Sequence, residues 1–364
     1  MNTISTRRST PRRLGLGLVG GIGALALAAC TGTGDAGSGE NGSSAASSTV
    51  TLVTHDSFNV SEDVLAAFEE ESGLTVRQIA PGDGGALVNQ LVLTKDSPLG
   101  DVVFGIDNSF ATRAIDEGVL EPYTPAGLAD SAAQYAIGDT GALTPIDFGD
   151  VCINIDHAWF GNTGVTEPET LDDLTKPEYK DLLVVTNPAT SSPGLSFLLA
   201  TIGAYGEDGW VDYWAKLKAN GVKVVDGWSD AYSVDFSGAE GNGPRPIVLS
   251  YATSPAFTVS EDGTSTRTGA LLDTCFRQVE YAGVLAGAQN PEGAKKLVDF
   301  LVSDAFQADV ADSMYMYPAN TDIALPESWV EFAPLSPKPF EVAPADITAH
   351  RDEWIKAWTS TVIG

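Results

Sequence analysis

DVVFGIDNS, Asp101 to Ser109, sets five apolar or glycine residues between two aspartates and closes on Asp107-Asn108-Ser109. A run this short and this evenly apolar reads as an interior strand of a parallel sheet, over Asp101 to Ile106. The segments before it alternate in the same sense. Val50 to Thr54 is a strand; Ser61 is expected to cap a helix carrying Val64, Leu65 and Phe68, which Gly73 ends. Leu74 to Ile79 is the next strand, and Gly82-Asp83-Gly84-Gly85 opens a helix through Leu87, Leu91 and Val92. After the starting strand comes a helix with Ala114 and Ile115, stopped by Gly118. This is a doubly wound α/β unit, in which ligands bind beyond the carboxyl ends of the strands. Those ends carry Asp56, Asp83 and Asp107, a candidate site.

A second unit follows. Leu182 to Thr186, Val222 to Val225 and Pro246 to Tyr251 read as strands. Ser191-Ser192-Pro193-Gly194 opens a helix with Leu195, Leu198, Leu199 and Ile202, with Pro193 in its first turn. Phe276 to Gly283 reads as a strand returning to the first sheet, and helices Pro291 to Ser303 and Ile347 onward close the body. The expected architecture is two lobes, 49–148 with 259–364 and 149–258, joined by hinge crossings around a ligand cleft.

Composition narrows the function. Among 364 residues, 49 are acidic and 20 basic, for a net charge of −29 and a pI near 4.2. Nucleic acid is disfavoured as a partner, because phosphate neutralisation needs clustered Lys and Arg. Three His and three Cys argue against a His- or Cys-rich metal site and against a disulfide-dense scaffold. Arg7, Arg8, Arg12 and Arg13 precede an apolar run from Leu14 to Ala29, which reads as an export signal over 1–29. Its end, Leu27-Ala28-Ala29-Cys30, resembles a bacterial lipobox with Cys30 as the lipidated residue; an ordinary cleavage site is the alternative. Residues 30–48 are Gly/Ser/Ala-rich and read as a tether. The expected location is the outer face of the cytoplasmic membrane, reached through the lipid alone. Gly15, Gly17 and Gly20 match a dinucleotide-loop spacing, but no strand precedes them. In an exported chain Cys152 and Cys275, both in apolar strand-like segments, are expected to pair, with free buried thiols as the alternative.

Eight ordered motifs carry a resemblance. They are THDSF (Thr54 to Phe58), GDGGALVNQL (Gly82 to Leu91), DVVFGIDNS, TPIDFGD (Thr144 to Asp150), NPATSSPGLSFLL (Asn187 to Leu199), DGWSDAY (Asp226 to Tyr232), VLSYATSPA (Val248 to Ala256) and MYPAN (Met316 to Asn320). The series resembles the substrate-binding proteins of thiamine ABC transporters, relatives of the ferric-ion and polyamine receptors. The resemblance implies a periplasmic-binding-protein-like fold, a monomer that works with permease and ATPase subunits, no catalysis and no cofactor. It places ligand contacts at Asp83, Gly84, Ser191, Ser192, Trp228, Tyr251, Ala252, Thr253, Ser254 and Pro255. Thiamine and its phosphates offer a flat aminopyrimidine, a cationic thiazolium and a hydroxyl or phosphate arm. Trp228 and Tyr251 can stack on a cationic ring, Asp83 or Asp107 can face its charge, and amides of Ser191, Ser192 and Gly194 suit the arm. Tyr315 stands where the family often has Trp, and His55 where it often has Tyr.

Plainer readings compete. Trp210/Trp214 and Trp354/Trp358 have core spacing on helices; Asp56 and Asp107 could serve only turns, Ser191-Ser192 only a helix cap, and Met314 to Tyr317 only packing. Glu69-Glu70-Glu71 reads as a solvated helix face. A ferric receptor would want adjacent tyrosines, and a polyamine receptor carboxylates at both ends of the cleft. A thiaminase-like enzyme would need a nucleophilic Cys. No G-x-S-x-G elbow is present, and His55, His157 and His350 have no evident nucleophile partner.

Overall fold

The computed structural model describes residues 47–239 and 241–364. The signal 1–29, Cys30 and the tether up to residue 46 lie outside the described residues. Among the described residues ten strands form one sheet: β1 Thr49–Thr54, β2 Thr75–Ile79, β3 Val102–Asp107, β4 Leu120–Glu121, β5 Thr144–Asp156, β6 Leu183–Thr186, β7 Lys223–Val225, β8 Ile247–Tyr251, β9 Thr268–Leu285 and β10 Tyr317–Pro318. The helices are α1 Glu62–Ser72, α2 Gly84–Leu93, α3 Ala111–Asp116, α4 His157–Thr163, α5 Ser192–Ala219, α6 Ser254–Phe257, α7 Pro291–Leu301, α8 Asp304–Met314, α9 Trp329–Phe332 and α10 Pro344–Val362. No helix among the described residues is long and apolar enough to cross a membrane.

The strand order is β2-β1-β3-β9-β5-β8-β6-β7. Two all-parallel trios, β2-β1-β3 and β8-β6-β7, stand at the two ends. Between them run β9 and β5, antiparallel to each other and to the trio strands beside them. Both are long because each serves both halves. Glu280 to Val284 of β9 pair with β3, whereas Thr268 to Leu271 pair with the end of β5 that borders β8. Their ladder breaks where Val151↔Phe276 gives way to Ile153↔Leu271, so residues 272–275 bulge out of it. At that break Cys152 and Cys275 are disulfide-bonded, with their Cα atoms 4.2 Å apart and Ala252 packed beside them.

Apolar side chains on the inner strands of the trios are buried on both sheet faces, as parallel strands require. Val50, Leu52 and Phe104 pack with Leu297, Leu301 and Phe306 of α7 and α8, while Val53 and Val103 face Leu87 and Leu91 of α2. The segment 259–364, expected with the first lobe, divides. α7 and α8 cover the first trio, but α10 lies on α5, where Trp358 meets Trp214 edge-on at 5.4 Å. Trp210, Trp214, Trp354 and Trp358 are all buried. α5 bends at Gly206, whose φ of 69° leaves the helical region. Ser61 sits at the N-cap of α1 without capping it, because its hydroxyl bonds Asp309 of α8 instead. Gly73 does end the helix in the left-handed conformation.

Candidate functional site

A cavity of about 250 Å³ lies where the ends of β1 and β8 and the interior of β9 meet the turn after β7 and the end of α8. It falls slightly below the usual range of small-molecule sites, roughly 300–1,000 Å³. One wall is aromatic. The chain leaves β7 through Asp226-Gly227, and a wide helical turn over Asp230–Asp235 lays Tyr232 flat on Trp228, with ring centres 4.9 Å apart and planes 12° apart. Tyr251, the last residue of β8, meets Trp228 edge-on at 6.4 Å. Trp228 Nε1 donates to Ser250 Oγ at 2.9 Å, and Ser250 shares a 2.7 Å hydrogen bond with Ser254. Gln278 Nε2 donates to the Tyr251 hydroxyl at 3.1 Å. These bonds set ring orientation while leaving Trp228 half-buried, with surface to offer.

A second lining group comes from the end of α8. Tyr315 has φ +56°, a left-handed conformation that a non-glycine residue adopts only under constraint. It terminates α8 and sets Tyr315 between Phe257, edge-on at 5.3 Å, and Trp329, stacked at 6.4 Å. Met314 and Met316 on either side also line the cavity. Gly149 of β5 admits Met316, since a Cβ there would stand 3.0 Å from its sulfur.

The floor is polar and acidic. His55 follows β1 and lies against Gly105, whose φ of +93° and place in a register shift of β3 leave room that any side chain would fill. His55 Nδ1 pairs with Ser57 Oγ at 3.1 Å, and Nε2 lies 3.5 Å from Glu280 Oε1, too far to be satisfied by it. Glu280 of β9 is the one carboxylate among the described lining residues. Its cross-strand neighbours are Asp107 of β3 and Asp147 of β5, both fully buried. Burial acts to lower the His55 pKa, but the Glu280 charge, with Asp83 and Asp56 beyond it, carries it above the ordinary imidazole value. Burial likewise drives Asp107 up to about 6, against hydrogen bonds from Ser109 and Ser192. Asp147 is pushed well above the usual carboxylate range, by burial first and by Glu280 second. Three buried polar atoms on the lining residues have no hydrogen-bond partner: His55 Nε2, Tyr232 OH and Thr253 Oγ1. Such atoms are uncommon in folded proteins.

Of the sequence candidates, Trp228, Tyr251, Thr253, Ser254 and Tyr315 line the cavity. The others do not. Asp83 caps α2 and takes three backbone donors: Oδ1 accepts from Gly84 N at 2.6 Å and Ser192 N at 3.2 Å, and Oδ2 accepts from Trp228 N at 2.9 Å. Burial raises its pKa, opposed by bonds from Ser191, Trp228 and Gly84. Ser192 Oγ donates to Asp107, and a Cβ at Gly84 would collide with that hydroxyl. Ser191 caps α5, accepting from Gly194 N at 3.3 Å. Asp83, Gly84, Asp107, Ser191 and Ser192 thus form a tight joint between the N-termini of α2 and α5. The amides of Ser192 and Gly194 are taken by protein acceptors. Ala252 is buried beside the disulfide, Pro255 is buried in the first turn of α6, and Asp56 is exposed. Neither Asp83 nor Asp107 faces the cavity; Glu280 takes that place. Sequence reasoning missed Glu280, Tyr232 and Phe257, and of these only Tyr232, four residues after Trp228, had a readable signal. Among the described residues no three His, Cys, Asp or Glu side chains group to hold a metal ion.

Comparison with known proteins bears on the family and the fold. Residues 97–343 match the family model described as bacterial extracellular solute-binding protein. A thiamine-binding periplasmic protein of Salmonella typhimurium is 31% identical over 322 residues, covering 86% of this chain and 93% of the relative. Its Escherichia coli namesake is 30% identical with the same coverage. The solved structure of a periplasmic thiamin binding protein superposes with a TM-score of 0.75 at 29% identity, over 86% of this chain and 96% of that one. A ferric binding protein from Campylobacter jejuni shares the fold, with a TM-score of 0.67 at 17% identity over 86% of this chain and 99% of its own. The chain belongs to the bacterial extracellular solute-binding proteins, with a periplasmic-binding-protein fold and thiamine-binding periplasmic proteins among its relatives.

Proposed function

We infer that this protein is the exported receptor of an ABC importer, and that it captures thiamine in the cavity and delivers it to the permease. The observation that carries the reading is the pairing of aromatic faces, Trp228 on Tyr232 with Tyr251 beside them, with Glu280 as the lining carboxylate. A flat ring bearing a fixed positive charge gains from both. Each cation–π contact contributes about 0.5–2 kcal/mol, and a carboxylate about 4 Å from the charge adds on the order of 4 kcal/mol before desolvation. The unpaired atoms of Tyr232, Thr253 and His55 suit the donors and acceptors of the aminopyrimidine and hydroxyethyl groups. Unphosphorylated thiamine is favoured over its phosphates, because the amides that would cradle a phosphate are bonded to Asp83 and Ser191.

The two parallel trios are the natural lobes, 49–148 with most of 259–364 against 149–258, hinged where β5 and β9 cross and with α10 on the second. Lipidation of Cys30 would hold the monomer at the outer face of the membrane, and Cys30→Ala should then release it from membrane fractions. Catalysis is not part of this proposal. A ferric receptor is the second reading, favoured only by the shared fold; a polyamine would require a second lining carboxylate. Mass spectrometry of ligand retained by protein purified without unfolding, followed by calorimetric titration with thiamine, separates these. Retained thiamine and saturable binding support the receptor reading; bound iron with no thiamine binding replaces it.

A further inference from the structure

The cavity floor holds more acid than its hydrogen bonds account for. Glu280 sits between Asp107 and Asp147 across the ladder. Asp147 is fully buried, and neither of its carboxylate oxygens has a hydrogen-bond partner. Glu280 itself receives one bond, from Gln278 Nε2 at 3.2 Å. The nearby cation Arg277 is committed to Asp150, through Nε at 2.5 Å and a second nitrogen at 3.0 Å. That leaves His55, 3.5 Å from Glu280, as the group able to supply positive charge. The titratable groups around Glu280 are therefore His55 and Asp56 after β1, Asp83 at α2, Asp107 of β3, Asp147 of β5 and Tyr251 of β8.

Buried carboxylates this close cannot all ionise without a cation, so the empty site retains protons. We propose that Glu280 is the residue that reads the positive charge of the ligand, and that a proton held by the His55–Glu280–Asp147 cluster leaves as the cation enters. The inference rests on the receptor reading and deepens it. A quaternary nitrogen has no proton of its own to lose. Its arrival replaces the proton as the compensating charge, favouring ionised acids and a neutral His55. The raised pKa values of His55 and Asp147 have the matching sign. Each group is protonated below its shifted value, each loses that proton more readily beside a cation, and so affinity rises with pH. By linkage, each full proton released makes binding about tenfold tighter per pH unit within the titration range. An aspartate in place of the cluster's proton-sharing arrangement, solvated and already ionised, would show no such slope.

Thiamine titration calorimetry on the intact protein at pH 6, 7 and 8, in two buffers of different ionisation heat, counts the protons directly. Wild type should release about half to one proton, with affinity rising roughly 3- to 10-fold per pH unit over that range. Glu280→Gln should lose at least tenfold in affinity at pH 8 and flatten the slope. Asp147→Asn, which removes the acid that burial and Glu280 hold well above the usual carboxylate range, should make the slope shallower. Wild-type binding with no proton release and no pH dependence overturns the inference while leaving the receptor reading intact, and so does a Glu280→Gln variant that keeps both affinity and slope. Absence of thiamine binding by wild type at every pH overturns the receptor reading, and this inference with it.

Discussion

The aromatic wall and the joint behind it are both built from the ordered motifs, each from different ones, and they behave oppositely. Trp228 and Tyr251 face the cavity with ring surface, and Thr253 lines it with an unpaired hydroxyl. Asp83, Gly84, Ser191, Ser192 and Asp107 face one another, and their donors and acceptors are used up within the protein. The two regions touch through one bond, from Trp228 N to Asp83 Oδ2. The joint therefore positions what the wall presents. Spare hydrogen-bonding capacity, rather than residue type, tells a ligand contact from a frame residue.

Variants can test that division. The largest effect is expected at Asp83→Ala, which strands the amides of Gly84, Ser192 and Trp228 without their acceptor. Each buried orphan costs about 1–3 kcal/mol, so the loss should reach roughly 3–5 kcal/mol. Thermal unfolding should show a fall of roughly 5–10 °C. A variant as stable as wild type would move Asp83 out of the frame and back among ligand contacts.

Asp107 gives a subtler signature. Burial pushes its carboxyl from the ordinary aspartate range up to about 6. The folded state thus binds its proton more tightly than the unfolded one, and the stability this confers is lost as pH rises between those values. Asp107→Asn lacks this dependence, so it should gain on wild type by up to about 3 kcal/mol as pH climbs from about 4 to 6, and hold steady above about 7. Denaturant unfolding across that range checks it; a difference independent of pH would show that Asp107 is not desolvated by the joint.

The smallest effect is expected on the wall. Thr253→Val removes an unpaired hydroxyl and so should leave the melting temperature within a degree or two. Thiamine binding should weaken by roughly 3- to 10-fold, the value of one hydrogen bond. A stability loss instead would mean that the hydroxyl serves the frame.

Much of the fold was legible because parallel strands announce themselves as short apolar runs. The strands of both trios lie within a residue of where their patterns place them. β5 was not legible as thirteen residues of strand, because Asp147, Gly149, Asp150 and Asn154 interrupt its apolar run although every residue in it is buried. β9 extends beyond the expected Phe276 to Gly283 in both directions, its first residues pairing across a break that no local pattern signals. The cavity floor depends on that pairing. Glu280 meets Asp147 and Asp107 only through the register of β9 between β5 and β3, so its role could not be read from QVEYA alone. Trp228 was legible because a tryptophan after glycine at a strand end has little core to enter. That the joint turns its amides onto protein acceptors was not legible, because an N-terminal amide of a helix looks the same in sequence whether a phosphate or an aspartate takes it.

The most direct test of the account compares melting temperature and thiamine affinity in wild type, Trp228→Ala and Trp228→Phe. A fully buried tryptophan truncated to alanine costs about 3–5 kcal/mol of stability. Trp228 is half-buried, so Trp228→Ala should lower the melting temperature by only a few degrees while weakening binding by roughly 1–3 kcal/mol, about 5- to 150-fold. Trp228→Phe should recover part of that affinity, because it restores a stacking face but neither the stronger quadrupole nor the bond to Ser250. A large fall in melting temperature with unchanged affinity in the folded fraction would place Trp228 in the frame and contradict the assignment of this cavity to thiamine.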